Sequence, residues 1–378
     1  MKPAFLSEHS AIQYNGETIA LLPKEYALLH YLFRYANRVC TREQLLDAVW
    51  PMEYPTDRTV DDHVYRLRKK LKRWQPAIKI ETMRGQGYRL AYRETAFPHP
   101  FGTDAELTTS YTVLFDKYHL FGHGEAMQLL AAHQTTLGFH MAEEKKIFLE
   151  AVKGNFTFFL QPHLSFTQKA FYLLILYWYI QPDAERALFY IERALEKQVM
   201  PAVWHEEMKF NVIALYIETG RFTEAHTRLS QYEALVSHEK MKGLRLFYYN
   251  KKLLLTLVQG NKAEAAALVT HMTDLLDTFP YLREHGIFLI IKGLWLMSRQ
   301  AFDQAEDAII EGVTTLRESR FVPHLIYGTR LLMRFAPGLL AEAPVRMKPF
   351  NDQWNELAAM YDFPYLEKNV QLELERFL

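Results

Sequence analysis

Cysteine is almost missing from this sequence. One thiol, Cys40, in 378 residues rules out an intrachain disulfide framework and any multi-cysteine zinc site. Net charge is missing too: 44 Lys and Arg stand against 44 Asp and Glu. Taken over the whole chain, that balance argues against a nucleic-acid binder, which normally carries a basic surplus. Long apolar runs are also lacking. The longest, Phe171–Ile180 and Gly286–Met297, reach about half the roughly 20 residues of a membrane span, and Lys292 interrupts the second. Residues Met1–Ser10 contain no apolar signal core. A reducing, cytoplasmic setting with no membrane partner is the expectation. What the chain has in quantity is apolar surface: 49% hydrophobic and 14% aromatic residues exclude a disordered chain and suffice for more than one core.

The charge balance conceals a split. Residues 1–94 carry 16 basic and 11 acidic side chains, and residues 95–378 carry 28 and 33. Between Arg58 and Arg93, 11 basic residues face only three acids, Asp61, Asp62 and Glu81. Such a block suits contact with phosphates, from which Lys and Arg release counterions. Thr95–Asp104, with two prolines, one glycine and no apolar period, reads as a linker between domains at 1–94 and 105–378.

In the first domain, Phe5–Tyr14 and Thr18–Leu22 flank the turn pair Asn15-Gly16 and predict a small sheet. Pro23 opens a first helix. Thr41 and Gln44 form a capping box for a second, which Pro51 and Pro55 end. Asp57 is the expected cap of a third helix running to about Trp74. Val60, Val64, Leu67 and Leu71 make its buried stripe, and Thr59, Asp62, His63, Arg66, Lys70 and Arg73 its polar face. Ile78–Met83 and Tyr88–Tyr92 then read as a two-stranded ribbon tipped by Arg84. A basic helix beside a basic ribbon can engage a major and a flanking minor groove together.

These motifs, in order from Leu28–Leu32 through Arg42–Trp50 and Asp57–Leu71 to Glu81–Leu90, resemble the winged-helix DNA-binding domain of OmpR/PhoB-type response regulators over residues 4–93. The resemblance implies a sheet, three helices and a C-terminal hairpin wing. It implies groove-facing roles for Arg58, Thr59, Asp62, His63 and Arg66, backbone contacts for Arg68 and Lys69, and a minor-groove role for Arg84. Lys70 and Arg73 join the set as basic neighbours. Trp50, with Met52, Glu53 and Tyr54, matches a loop that can touch RNA polymerase. Asp62 and Tyr65 depart from the family pattern, where an apolar residue and an arginine are common, so base preference is open. The family's phosphorylated receiver is expected to be lacking, because the module begins with the first residues; control would then come from the C-terminal domain.

That domain repeats. Gly220-Arg221-Phe222-Thr223-Glu224-Ala225 recurs at Gly260–Ala265 and, more loosely, at Gln300–Ala305, with further copies at Pro182–Ala187 and Gly122–Ala126. Each lies between amphipathic stretches, so the unit is helix, tight turn, helix. The pattern resembles tetratricopeptide-type repeats, though its spacing of 40 is longer than usual. The fold class is therefore mainly α: a winged helix-turn-helix followed by an all-α solenoid. In such stacks the first helices line a concave groove. By this resemblance its lining is Lys169, Tyr172, Leu176 and Tyr179, then Glu207, Phe210, Ala214 and Glu218. It continues with Phe247, Asn250, Leu254 and Leu257, then Ile287, Ile290 and Leu294. Asn250 is a possible clamp for a peptide backbone, since its amide both donates and accepts.

Catalytic signals are lacking. His119 and His123 are spaced as a ligand pair, but no Glu follows His119, and two exposed histidines on a helix is the expectation. Neither a phosphate-binding glycine loop nor a nucleophile elbow is present. The expected protein is a transcription regulator, not an enzyme, with no metal or cofactor. It binds double-stranded DNA and forms a homodimer, and its repeats take a short peptide or protein effector. Two alternatives stay open: a ligand-independent activator whose repeats only dimerise or contact RNA polymerase, and a protein-interaction scaffold.

Overall fold

The computed structural model describes residues 3–6, 10–14, 17–51, 56–75, 77–92, 105–237, 242–278, 281–340 and 344–378. The chain forms two compact units, chiefly residues 1–103 and 104–378, the short segment Thr135–Phe139 grouping with the first. The expected linker and the Asn15-Gly16 turn lie outside the described residues.

The first unit holds two small antiparallel sheets. β1 (Ala4–Leu6), β2 (Ala11–Tyr14) and β3 (Glu17–Ala20) form one in that order. The run expected as a single strand over Phe5–Tyr14 is thus two strands, pairing Phe5 with Ile12. Then follow α1 (Pro23–Arg34), β4 (Val39–Cys40), α2 (Arg42–Val49) and α3 (Asp57–Leu71). β5 (Ile78–Met83) and β6 (Gly87–Tyr92) complete the second sheet, in the order β4-β6-β5. The predicted capping box is present: Gln44 N donates to Thr41 Oγ1 at 3.2 Å, and Thr41 N donates to Gln44 Oε1 at 3.0 Å. Asp57 is not a cap, as expected, but the first helical residue; Thr56 precedes it in extended backbone. There the carboxylate still meets the positive end of the helix dipole. The stripe Val60, Val64, Leu67 and Leu71 is buried against Leu28, Leu32, Leu45 and Ile78.

The second unit is helical. After α4 (Ala105–Phe121), α5 (Gly124–Ala132), α6 (Gln134–Leu137) and α7 (Glu143–Val152) come four hairpins. They pair α8 (Phe166–Ile180) with α9 (Ala184–Glu196), and α10 (Ala202–Glu218) with α11 (Phe222–Val236). They continue with α12 (Lys242–Val258) and α13 (Lys262–Thr278), then α14 (Leu282–Ser298) and α15 (Phe302–Ser319). α16 (Val322–Leu339), α17 (Lys348–Met360) and α18 (Phe363–Phe377) finish the chain.

The repeat has a physical cause. At Gly220, Gly260 and Gln300 the backbone turns left-handed, with φ of 74°, 74° and 61°. The next N–H then reaches back five residues: Arg221 to Tyr216, Asn261 to Thr256 and Ala301 to Leu296, at 2.8, 3.1 and 3.0 Å. This helix ending satisfies orphan carbonyls and reverses the chain. Five residues past each left-handed position, Ala225, Ala265 and Ala305 are buried, small enough for the second helix to close on the first. The Pro182–Ala187 copy ends its helix differently: Asp183 caps α9, accepting from Glu185 N and Arg186 N. Gln300 pays the left-handed cost that its two glycine counterparts avoid. Gln300→Gly is expected to raise stability by about 0.5–1 kcal/mol, read from urea denaturation; a loss of stability would contradict this account of the turn.

The expected open groove is corrected. α8, α10, α12, α14 and α16 each pack on the next, and α16 packs back on α8. Arg330 and Arg334 of α16 bridge the ends of α8 and α10 where the inner helices close into a ring. Arg330 donates to Gln181 O at 2.7 Å and to Glu218 Oε2 at 2.9 Å, and Arg334 donates to Glu218 O at 2.8 Å. Carbonyls left open at the C-terminal ends of α8 and α10 thereby find donors on one helix.

Candidate nucleic-acid interface and enclosed cavity

On α3 the face opposite the apolar stripe leaves Arg58, Asp62, Tyr65, Arg66 and Lys69 exposed, and Arg84 is exposed at the tip of the β5–β6 hairpin. Thr59 and His63 are half-buried. His63 Nδ1 lies 2.8 Å from the Thr59 carbonyl and donates to it. Lys72, just past the helix, is a further exposed cation that the helical pattern did not single out. Tyr65, a departure from the family pattern, is a neutral side chain 69% exposed on the same helix.

Other basic residues expected at DNA are already engaged in the fold. Arg68 donates to Ile80 O at 2.9 Å and to Thr82 Oγ1 at 2.8 Å, tying α3 to the hairpin. Lys70 pairs at 2.6 Å with Glu25, which is 1% exposed. Burial would raise the Glu25 carboxyl, but the bonds from Lys70 and Leu22 N outweigh it and hold the group below its usual range. Arg73 is the exception: it is 56% exposed, 3.8 Å from a comparably exposed Glu17, and stays open to DNA. Asp61, counted from sequence only as an acid in a basic block, accepts from Arg42 Nε at 2.8 Å and the Tyr88 hydroxyl at 2.6 Å. That cluster locks α2, α3 and β6 together. Trp50, expected in a loop free to meet polymerase, is instead 4% exposed in the core, edge-on to His63 at 5.1 Å. Met52, Glu53 and Tyr54 lie outside the described residues.

In the second unit the ring encloses a cavity of about 880 Å³. Leu120, Val203 and Leu235, all partly exposed, line it, together with an aromatic wall of Phe171, Tyr172, Tyr179, Trp204, Phe247 and Phe321. Of the expected groove lining, Tyr172, Leu176, Tyr179, Glu207, Phe210, Phe247, Asn250 and Ile287 meet here. Seven positions are corrected, since they do not line it: Ala214, Leu254 and Leu294 are buried and Leu257 is half-buried, and the other three are held elsewhere. Lys169 is buried in an ion pair with Glu373 of α18 at 2.9 Å. Glu218 is consumed by Arg330 and by Trp178 Nε1 at 3.0 Å. Ile290 is fully buried beside Gly312 and Gly328. The 3.6-residue period places each on the inward side of its helix, but partners from α16 and α18 cover the first two.

The cavity also holds charge. Glu207 keeps accessible surface and lines the cavity. Burial lifts its carboxyl to about 7, against the pull of Arg283 and Lys251. Burial also lowers the Lys251 ammonium to about 8, despite Glu207. Arg283 lies 3.3 Å from Glu284 and stacks on Phe321 at 4.6 Å. Sequence reasoning expected His119 to be exposed; it is instead packed inside, its Nε2 3.1 Å from Arg283 Nη1. Burial, aided by Arg283 and Lys145, takes His119 down to about 3, so it is neutral and accepts that bond. His123 lies beyond the end of α4 and is exposed, so the two histidines form no pair. Among the described residues no group of three potential ligands could hold a metal ion, and no helix is long and apolar enough to cross a membrane. Asn250 differs from expectation too. Its amide nitrogen donates to Glu284 O at 3.0 Å, so only Oδ1 remains, and that oxygen has no partner.

Comparison with known proteins concerns the first unit. Residues 16–90 match the family described as "Transcriptional regulatory protein, C terminal". The chain is 49% identical over 78 residues to the transcriptional regulatory protein VxrB of Vibrio cholerae, covering 20% of this chain and 30% of that one. It is 46% identical over 86 residues to the sensory transduction protein RegX3 of Mycobacterium tuberculosis, covering 22% and 37%. The chain thus spans about a third of the length of these relatives. Among solved structures, the DNA-binding domain of Bacillus subtilis CssR is similar at 35% identity, covering 24% of this chain and 99% of that one, with a TM-score of 0.21. Residues 16–90 are an OmpR/PhoB-type winged-helix DNA-binding domain.

Proposed function

We propose that this protein is a bacterial transcription regulator whose α3 enters the major groove, while its C-terminal ring receives an effector and joins two copies. The observation that carries the reading is the exposed row Arg58, Arg66 and Lys69 on α3, with Arg84 on the neighbouring hairpin, in a domain similar to those of known regulators. Arg58 and Arg66 are the base-reading candidates, Lys69 and Lys72 the phosphate contacts, and Arg84 the minor-groove contact. Asp62 in the same row repels phosphate and can accept from a cytosine amine. Arg68 and Lys70 act through the fold, holding the hairpin and β3 to α3. Tetratricopeptide-like character in the second unit is supported by the left-handed turn recurring every 40 residues. A second copy would supply the second half-site contact that one short recognition helix needs. Cytoplasmic placement follows from this role.

The test is fluorescence anisotropy with DNA from upstream of the protein's own gene. Arg66→Ala and Arg84→Ala are each expected to weaken binding by about tenfold or more, and wild-type affinity to fall steeply and log-linearly with salt. Binding that is indifferent to salt and to both substitutions would refute the assignment.

A further inference from the structure

The cavity contains two opposite charges that do not meet. Among the described residues, the Glu207 carboxylate and the Lys251 ammonium form neither an ion pair nor a hydrogen bond; the ammonium lies over the Phe210 ring, 4.9 Å from Nζ. Around them four further side-chain polar atoms are buried without partners: Asn250 Oδ1, Arg283 Nε, Glu284 Oε2 and His324 Nδ1. Unpaired charges and orphaned polar atoms inside protein are costly, and folds remove them unless something else pairs them. These sort by chemistry. Lys251 and Arg283 Nε offer protons, whereas Glu207, Asn250 Oδ1 and Glu284 Oε2 seek them. Most of the remaining wall is aromatic or aliphatic.

A purely apolar ligand would leave every one of these groups unpaired. An anion alone would satisfy the donors and leave the acceptors facing each other. A volume of about 880 Å³ is in the range of single small-molecule sites. We propose that the cavity binds an amphipathic zwitterion of the amino-acid type, with its carboxylate at Lys251, its ammonium at Glu207, and an aromatic or branched body against Trp204 and Phe247. Leu120, Val203 and Leu235 form the apolar edge by which the body enters. The proposal rests on the effector reading above and names the effector's chemical class.

The experiment uses the full chain and three probes: phenylalanyl-phenylalanine, its N-acetyl form, which lacks the ammonium, and its C-terminal amide, which lacks the carboxylate. Binding is read from tryptophan fluorescence and from the shift in Tm. Saturable binding of the free dipeptide is expected, with each blocked form at least tenfold weaker. Lys251→Met should abolish the difference between the free dipeptide and its amide, and Glu207→Gln that between the free and acetylated forms. Both variants are checked for an unchanged fold by circular dichroism before binding is read. No binding by the free dipeptide, or equal binding of all three forms, overturns the proposal. Zwitterion binding that leaves DNA affinity unchanged supports the site and contradicts only the effector reading.

Discussion

Arg330→Met is expected to cost about 3–5 kcal/mol of stability, the scale found when one member of a buried ion pair is removed. Arg330 and Glu218 are 5% and 4% exposed. The guanidinium meets the carboxylate through Nε at 3.2 Å and Nη2 at 2.9 Å, while Nη1 serves the Gln181 carbonyl. After substitution Glu218 would keep Trp178 Nε1 as its one side-chain donor, and the Gln181 carbonyl at the end of α8 would lose its partner. The ring joins α16 to α8 and α10 here, so the cavity should loosen along with the loss of stability. Urea denaturation measures the cost. Adding Glu218→Gln to the variant should recover part of it, because a neutral amide is easier to leave buried than a carboxylate. A loss below about 1 kcal/mol would mean that apolar packing alone closes the ring.

Gly87→Ala is the second large effect, about 3 kcal/mol, and it falls on the DNA-binding unit. Gly87 begins β6 at φ 127°, which side chains rarely adopt, and an added Cβ would lie 2.1 Å from the Cys40 carbonyl oxygen. Both obstacles are backbone, so no side-chain movement relieves them. The hairpin would have to leave β4, taking Arg84 with it. DNA binding should therefore fall with stability. The neighbouring Gly85→Ala is the control: it meets nothing within 4 Å and carries only the strain of φ 72°, so its cost should be about 1 kcal/mol. Equal losses at the two positions would show that space beside Cys40 is not what selects glycine there.

The sequence reached furthest where interactions are local. The α3 stripe, the Thr41–Gln44 box, the hairpin and the recurring turn each depend on residues within a few positions, and each is where the pattern put it. The second unit shows the limit. Helical period placed Glu218 and Lys169 facing a groove, and they do face inward. Their partners, Arg330 and Glu373, lie more than a hundred residues away in sequence, and no local pattern connects them. In the same way His119 reads as a polar residue on a charged helix until Phe148 and Phe321 are seen packed around it.

The sequence by itself determined the elements, the division into a basic reader and a near-neutral helical body, and the DNA-binding family of residues 16–90. The elements and the charge division follow from periodicity, capping and charge, all short-range properties of a chain, and the family from the resemblance of the motifs. Tertiary structure alone decided which cations are left for DNA and which are used up by the fold, because that depends on what each meets across an interface. It also decided that the repeats close into a ring instead of an open groove. Arg330 and Arg334 satisfy the ends of α8 and α10 at that closure, which turns an exposed surface into an enclosed space where the unpaired Glu207 and Lys251 acquire meaning.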